Sequence, residues 1–511
     1  MPQLPTSELF DVDIPIHCTT GQGDAMPSTS NVTLPESDSK LETDNLPTLQ
    51  SDVTGIMILL LALQLKHNLS DVAMEDILML IHSVGAEDFK LPKASKYMFR
   101  KTFSSDTNCV NIYHICPECG CNVGIHQDES FTCEYCSTPI CTAKNQSNGN
   151  VFIYLPLVAQ LRAILEDSKL NKHIFDFKKE ILSKPPSKST LTDIVDGKIY
   201  QDRLKDSSHV LADVNNLSLS FNCDGIPIFK SSKLSAWPVL CTVNELRPFL
   251  RRKHVLIAAL HIGSVKPKMN EYLRAFVNEC QFLYENGIEY HIDGKAKVSK
   301  VAIIVGICDS VARPLLQSFN QFNGKFGCAY CLHPGERVKK GKGNVNAYPS
   351  KCKYTERTMA QTLEFADEVL KSNPRKANVH EVEGVSILAS IPGFDMIYGM
   401  TPDYTHCAIL GITRQFLKLW TNSQQHAQAY YIGLKCKEID MRFLCIKPPA
   451  SVSRVPRSIN ELKFWKAHEL YHWALFYSLF VLQENLPGKY LKHRAMFSES
   501  LYLLLKKRNF K

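Results

Sequence analysis

The 511-residue chain lacks a long apolar run. Its longest, Ile56 to Leu65, falls short of the roughly 20 residues that a membrane-spanning helix needs, so no membrane partner is expected. No basic n-region followed by an apolar h-region opens the chain, so no secretory signal is expected either. Together these point to a soluble intracellular protein. A glycine-rich phosphate loop is missing, since Gly341-Lys-Gly343 makes only a flexible basic turn, and so is a G-x-S-x-G nucleophile elbow. Those absences argue against a P-loop nucleotidase and an α/β-hydrolase. No repeat of fixed period runs along the chain, which argues against a solenoid.

What is present is ordinary globular material. Hydrophobic residues make up 44% and charged residues 22%, which excludes a wholly disordered or fibrous protein. The length suits about three or four domains. Charge is uneven: residues 1–50 hold eight acids against Lys40, a net of −7, which leaves +15 for residues 51–511 out of a total of +8. A basic body behind an acidic tail suggests a polyanionic partner, although the excess is modest for that length.

The tail is rich in Ser, Thr, Pro, Asp and Glu and has no apolar period, so it reads as disordered. Helical spacing follows at Ile56, Leu59, Leu60 and Leu63, and again at Val72, Ile77, Leu78 and Leu80. Seven of the 18 cysteines fall within residues 109–141. In a reducing compartment such pairs are metal ligands rather than disulfides. Cys116-Pro-Glu-Cys119 and Cys133-Glu-Tyr-Cys136 have the spacing of two zinc knuckles that complete a tetrahedron. Cys121 and Cys141 are the neighbours that could substitute in register. Residues 174–192, rich in lysine and carrying Pro185-Pro186, read as a linker.

From Leu217 the period changes to two. Leu217, Leu219, Phe221 and Cys223 alternate with polar residues and end at Asp224-Gly225, a strand and a turn. Trp237–Val243 and His254–Ile262 are two further strand-like runs, and Met269–Asn286 is an amphipathic helix with Tyr272, Leu273, Phe276 and Phe282 as its stripe. Val301–Cys308 is a buried strand that ends at Asp309. A helix is expected over Val311–Phe322, another over residues 355–371, and a last one from Ile459 to about Glu484. The order β-β-β-α-β, with an aspartate after the first and fourth strands, is that of a ribonuclease H-like fold. The plain alternative for each aspartate is a cap or turn former.

Several ordered blocks carry a family resemblance. Phe221-Asn-Cys-Asp-Gly225 running on to Trp237-Pro238, Cys308-Asp-Ser-Val-Ala-Arg-Pro314 with Gly324-Lys-Phe-Gly-Cys-Ala-Tyr-Cys-Leu-His333, Asp403-Tyr-Thr-His406, and Phe464-Trp-Lys-Ala-His-Glu469 resemble blocks of CACTA (En/Spm-type) DDE DNA transposases. Asp193-Ile-Val-Asp-Gly197 and the upstream knuckles are similar to animal members of that superfamily. The resemblance spans roughly residues 55–511. It implies catalytic acids Asp224, Asp309 and Glu469 holding two magnesium or manganese ions, for which hard oxygen donors are suited. It also implies a second structural zinc site, with Cys328 and Cys331 as half of it, His406 as the best further ligand and His333 as a weaker one. Members of the family run on past the third-acid block, so more chain is expected after Glu469 than the stretch to Lys511.

Glu469 belongs to a competing motif, because His468-Glu-Leu-Tyr-His472 fits the HExxH pattern of zinc peptidases. A third ligand would have to be Glu484 or Glu499, since position 475 is Leu. Arg251, Arg252 and Lys253, and the loop of Arg337, Lys339, Lys340 and Lys342, could track phosphates, with a solvated surface as the plain alternative. Trp465 and Trp473 read as core packing.

The expected architecture is α/β: a ribonuclease H-like mixed sheet with a zinc-bearing insertion, preceded by a small helical module and a zinc ribbon. Residues 1–50 form the acidic tail, 51–105 the helical module, 106–150 the ribbon and 151–205 a helical segment and linker. Residues 206–325 begin the core, 326–455 insert into it with the cysteine knuckle, and 456–511 return the helix of the third acid and a C-terminal helix. The expected function is nuclear DNA transposition on double-stranded element ends and target, with a homo-oligomer left open. The alternatives are a domesticated DNA- or chromatin-binding protein and, third, the peptidase.

Overall fold

The computed structural model describes residues 60, 71–84, 110–183, 191–229, 233–340, 343–349, 353–372, 378–450, 452 and 454–505. The chain divides into two units, Met1–Ser105 and Asp106–Lys511. In the first, helix Asp71–Val84 buries Met74 and Leu78, one turn apart, and exposes Met79 and Leu80. The tail expected over residues 1–50 and most of the module expected over 51–105 lie outside the described residues, as does the Pro-Pro part of the expected linker.

The second unit is built on a mixed sheet. Its strands, in chain order, are β1 (Asn111–Ile115), β2 (Asn122–Ile125), the small ribbon pair β3 (Ser130–Thr132) and β4 (Pro139–Cys141), β5 (Val151–Tyr154), β6 (Leu217–Cys223), β7 (Ile226–Pro227), β8 (Ser235–Val243), β9 (Leu256–Gly263), the hairpin β10 (Ile288–Ile292) and β11 (Lys295–Ser299), β12 (Val301–Cys308), the hairpin β13 (Glu336–Lys340) and β14 (Gly343–Ala347), and β15 (Met400–Pro402). The nine-stranded sheet runs β15-β12-β6-β8-β9-β5-β1-β2, with β7 paired to β8. β12 is parallel to both β6 and β15. From β6 through β8, β9, β5, β1 and β2 every pairing is antiparallel. The crossover between β9 and β12 carries helix Arg274–Glu285, which buries Ala275, Phe276, Val277, Cys280 and Leu283. The single helix expected over Met269–Asn286 is broken at Leu273, and Phe282 points to solvent.

β6 is buried on both faces, which its alternating sequence did not suggest. Ser218 and Ser220 occupy the second face and join a closed polar network. Ser218 donates from its N–H to Glu245 Oε2 at 2.9 Å and from Oγ to Oε1 at 2.8 Å, and Tyr200 OH donates to Oε1 at 2.9 Å. Lys178, fully buried, lies 3.9 Å from the same carboxylate and donates to Leu211 O. Lys178 sits in helix Ser168–Ser183, which buries Ile174, Lys178 and Ile181 along one face. That stripe includes a lysine, so the stretch looks like a polar linker in sequence while packing as a helix.

Residues 326–455, expected as one insertion, come back to the sheet at β15. After β15 the chain becomes helical around a second apolar cluster that includes Leu417, Trp420, Phe443, Trp465, Leu470 and Trp473. The one helix expected from Ile459 is a 3-10 turn (Ile459–Phe464), helix Ala467–His472, a π-helical turn (Trp473–Tyr477) and helix Ser478–Leu482.

The Lys178–Glu245 pair generates a stability prediction. Neutralising Glu245 leaves a buried ammonium without its counter-charge, so Glu245→Gln should cost about 3–5 kcal/mol. Lys178→Met/Glu245→Gln, which removes both charges and keeps an amide for Ser218 and Tyr200, should lose less than the single variant. Urea unfolding of the three proteins reads the order, and a double variant weaker than Glu245→Gln would refute the pairing as the cause.

Candidate functional site

Register places the acids. Phe221 faces Gly306 across the β6–β12 ladder, and Cys308 faces Pro402 across β12–β15. Counting onward, Asp224, Asp309 and Asp403 follow the three strands at one level, on neighbours spaced by about 4.8 Å. Asn222 Nδ2 donates to Ile307 O at 2.6 Å and Asp403 N to Cys308 O at 3.0 Å, which ties the three strand ends together. Gly306 is required between them, because a Cβ there would meet Met400 Sδ at 2.5 Å and the Phe221 ring at 2.6 Å.

Each aspartate also serves its own turn. Asp224 Oδ1 accepts from Gly225 N at 2.7 Å, and Asp309 Oδ1 accepts from Val311 N and Ala312 N at the start of helix Ala312–Gln317. The expected capping role and a place in the row therefore coexist. Burial holds the Asp224 carboxyl above the usual range, and the neighbouring Asp309 pushes it the same way; the Gly225 N–H and then His406 oppose this, while Asp403 adds to the rise. An acidic edge of this kind favours a cation. His406 Nδ1 lies 2.6 Å from Asp403 Oδ2, while Asp403 Oδ1 accepts from Thr405 N at 2.7 Å.

Glu469 is placed elsewhere in the fold's interactions. Its Oε2 accepts from Lys466 N at 2.7 Å, capping its own helix, and its Oε1 lies 3.1 Å from Arg457 Nε. His468 and His472 meet edge to face at 5.1 Å. Among the described residues no third donor joins them within 4.8 Å, and Glu484 is paired with Arg442 at 2.7 Å. Among the described residues, then, the HExxH pattern gathers no third donor around its two histidines, and its glutamate is held by Arg457.

The thiolate cluster is compact. Cys116 Sγ lies 3.5 Å from Cys136 Sγ and Cys119 Sγ 3.7 Å from Cys133 Sγ, and all four lie within 4.8 Å of one another. A tetrahedron with Zn–S of about 2.3 Å has edges of about 3.8 Å, so the four sulfurs could hold a metal ion. The two knuckles fold alike: Gly120 N returns to Cys116 O and Ser137 N to Cys133 O, both at 2.9 Å and both from residues with positive φ. Hydrogen bonds from the Thr138 side chain and backbone draw the Cys136 thiol down to about 6. Cys141 is exposed at the end of β4 and stands outside the cluster.

At the second knuckle, Tyr330 N donates to Cys328 Sγ at 3.4 Å. Among the described residues, Cys328 and Cys331 do not combine with His406 or His333 into a group within 4.8 Å. His406 is turned instead to Asp403. His333 is buried with both ring nitrogens engaged, Nδ1 accepting from Gly335 N at 2.9 Å and Nε2 against Pro349 O at 3.2 Å. The buried Arg357 props the knuckle by donating to the carbonyls of Cys328, Phe326 and His380.

Of the basic candidates, Arg251 makes a bidentate pair with Asp193 and donates to Leu246 O and Asn244 O, so its guanidinium is engaged inside the protein. Arg252 and Lys253 are exposed. The expected basic loop is the β13–β14 hairpin, with Arg337 and Lys339 exposed on alternate positions of one strand. Lys340 ends β13, and Lys342 lies outside the described residues.

Residues 189–382 match the transposase family tnp2. The matched segment runs from before β6 to beyond the Cys328 knuckle, so it holds Asp224 and Asp309 and stops short of Asp403 and Glu469. The tnp2 match supports a transposase-related function and DNA as the partner. No curated protein matches the chain. Among the described residues no helix is long and apolar enough to cross a membrane.

Cys119→Ser should abolish the tightly bound ion of the thiolate cluster, whereas Cys141→Ser should keep it. Metal content by inductively coupled plasma mass spectrometry of the purified chain decides; equal content in both variants would remove the cluster as a metal site.

Proposed function

We propose that this protein is a DNA transposase, or a protein derived from one, that cleaves and joins DNA strands by two-metal phosphoryl transfer. The observation that carries the reading is the level placement of Asp224 and Asp309 on adjacent parallel strands within the tnp2-matched segment. The strand order β15-β12-β6-β8-β9, with its parallel and antiparallel pairings, supports a ribonuclease H-like core. The CACTA assignment rests on the sequence blocks.

Magnesium or manganese, when bound, would activate the attacking oxygen and stabilise the leaving one. The residues suit such ions chemically: Asp224 and Asp309 bring hard carboxylate oxygens to one strand edge, where the charge of Asp309 opposes ionisation of Asp224. Asp224 and Asp309 hold the edge. Glu469 is the third acid of this proposal, and it reaches that role by exchanging its Arg457 partner. Zinc in the Cys116–Cys136 ribbon is structural, and Cys328 and Cys331 supply two thiolates of a second zinc site. Arg252, Lys253, Arg337, Lys339, Lys340 and Lys342 contact DNA phosphates, with Arg251 bracing the first cluster from within. The protein acts in the nucleus.

The Arg457–Glu469 pairing favours a second reading, a domesticated DNA-binding protein without strand cleavage. Supercoiled-plasmid nicking with manganese separates the two. The transposase reading expects nicking by the wild-type chain that falls about a thousandfold or more in Asp224→Ala and Asp309→Ala, since each tenfold is about 1.4 kcal/mol of lost transition-state stabilisation. DNA binding in a gel-shift assay should persist in both variants. Wild-type protein that binds DNA and never nicks it would favour the second reading.

A further inference from the structure

We infer that the cavity between helix Ser168–Ser183 and the β10–β11 hairpin is a contact site for the phosphate backbone of duplex DNA. The inference rests on the reading of DNA as the partner. It goes beyond that reading by naming a surface away from the acidic edge and from both basic clusters of the sequence.

The site is built from two elements that lie far apart in the chain. The cavity measures about 560 Å³, and Lys169, Lys172 and Lys179 of the helix and Lys297 of β11 line it. On the helix, positions 169, 172 and 179 share one face, and ten residues of rise spread them over about 15 Å. Lys297 stands opposite Tyr290 in the hairpin register, and Lys295, opposite Ile292, lies on the same face of the strand. All five lysines are exposed.

Asp176 and Asp293 also line the cavity and weaken its positive field without cancelling it. Asp176 comes four residues after Lys172 and three before Lys179, the spacing at which ion pairs close along a helix. Yet among the described residues neither lysine pairs with it, and Lys169 and Lys297 pair with no acid. Four ammonium groups are therefore left for a partner from outside.

Their spread selects the partner. Charges strung over about 15 Å suit a polymer of phosphates better than one small anion. One strand of B-DNA presents a phosphate about every 3.4 Å of axis, so about four fall within that length. The tnp2 match supports DNA as the partner, although the matched segment starts at residue 189 and so leaves out the helix. Lysine meets phosphate as a point charge, which holds the duplex without reading its sequence. Val214 and Asn215, on the cavity wall, come just before β6, and Asp224 comes just after it. The seven residues of that strand separate the two sites by about 20 Å. The lysines thus grip duplex that flanks the acidic edge.

The test is fluorescence anisotropy of a labelled duplex of about thirty base pairs, titrated with the whole chain over a series of salt concentrations. Lys169→Gln/Lys172→Gln/Lys179→Gln/Lys297→Gln should flatten the slope of log affinity against log salt by about 0.9 per lysine, about 3.6 in all. The change should be the same for unrelated sequences. Arginine at the same four positions should restore the slope, and Asp176→Asn should tighten binding. If the four-glutamine variant keeps the wild-type slope, the inference fails and the DNA reading stands. If the wild-type chain binds no duplex, the DNA reading fails with it. If it binds polyglutamate that the duplex cannot displace, the surface takes an acidic peptide and the inference is overturned. Circular dichroism melts check that these exposed substitutions leave the fold intact.

Discussion

The parallel ladder between β6 and β12 is the constraint on which the rest of this edge depends. Parallel pairing makes both strands finish on the same side of the sheet, so whatever residue follows each one meets its neighbour there. Had the pairing been antiparallel, Asp224 and Asp309 would stand at opposite ends of the strands. The ladder needs close contact at Gly306, between Phe221 on one side and Met400 on the other, where no side chain would fit. The crossover helix Arg274–Glu285 and its core contacts hold that pairing from one face, and the Lys178–Glu245–Ser218 network holds it from the other. A polar network is a demanding way to back a strand, since each member must be satisfied. Here Glu245 accepts from Ser218 and Tyr200 while it faces the lysine.

The ribbon belongs to the same construction. β5 continues the sheet beyond β9, and β1 and β2 continue it further, so the thiolate cluster grows out of the far edge. Helix Met269–Tyr272 and the residue before it clamp the junction: Lys268 Nζ donates to Cys119 O at 2.7 Å, and Glu271 Oε2 accepts from Asn122 N at 3.0 Å. An exposed sheet edge invites pairing with other chains. A small hairpin gathered around four thiols in that place shortens the open edge, which gives the ribbon a structural reason to be there.

How much of this could be read from sequence follows from chemistry that spacing can or cannot encode. Thiolates have few other uses at Cys-x-x-Cys spacing, so Cys116, Cys119, Cys133 and Cys136 were legible. The strands β6 and β12 were legible because their apolar periods are strong and each ends at Asp. β15 was not, because three residues that include a proline carry no period. The β13–β14 hairpin looked like a loop because its residues are polar and exposed on both sides. Helix Ser168–Ser183 hid behind Lys178, a charged residue in a buried stripe. For His406, the Asp-x-x-His spacing was visible while its neighbour in space was not, since only the β12–β15 register brings it to the aspartates.

The acidic row explains why the partners of each carboxylate are the least legible part of this edge. Like charges a strand spacing apart cost free energy, and that cost is what a cation relieves. Each of these groups has a partner within the fold. Asp309 caps a helix, Asp403 takes His406, and Glu469 takes Arg457 and the Lys466 N–H. These pairings are local in sequence, within about a dozen residues, so they form wherever the strands place them. Carboxylates satisfied in this way hold their shape from within the fold, and any ligand has to compete with those bonds. Glu469 shows this most sharply: its carboxylate is divided between the Lys466 N–H and Arg457, so any other partner has to displace an ion pair.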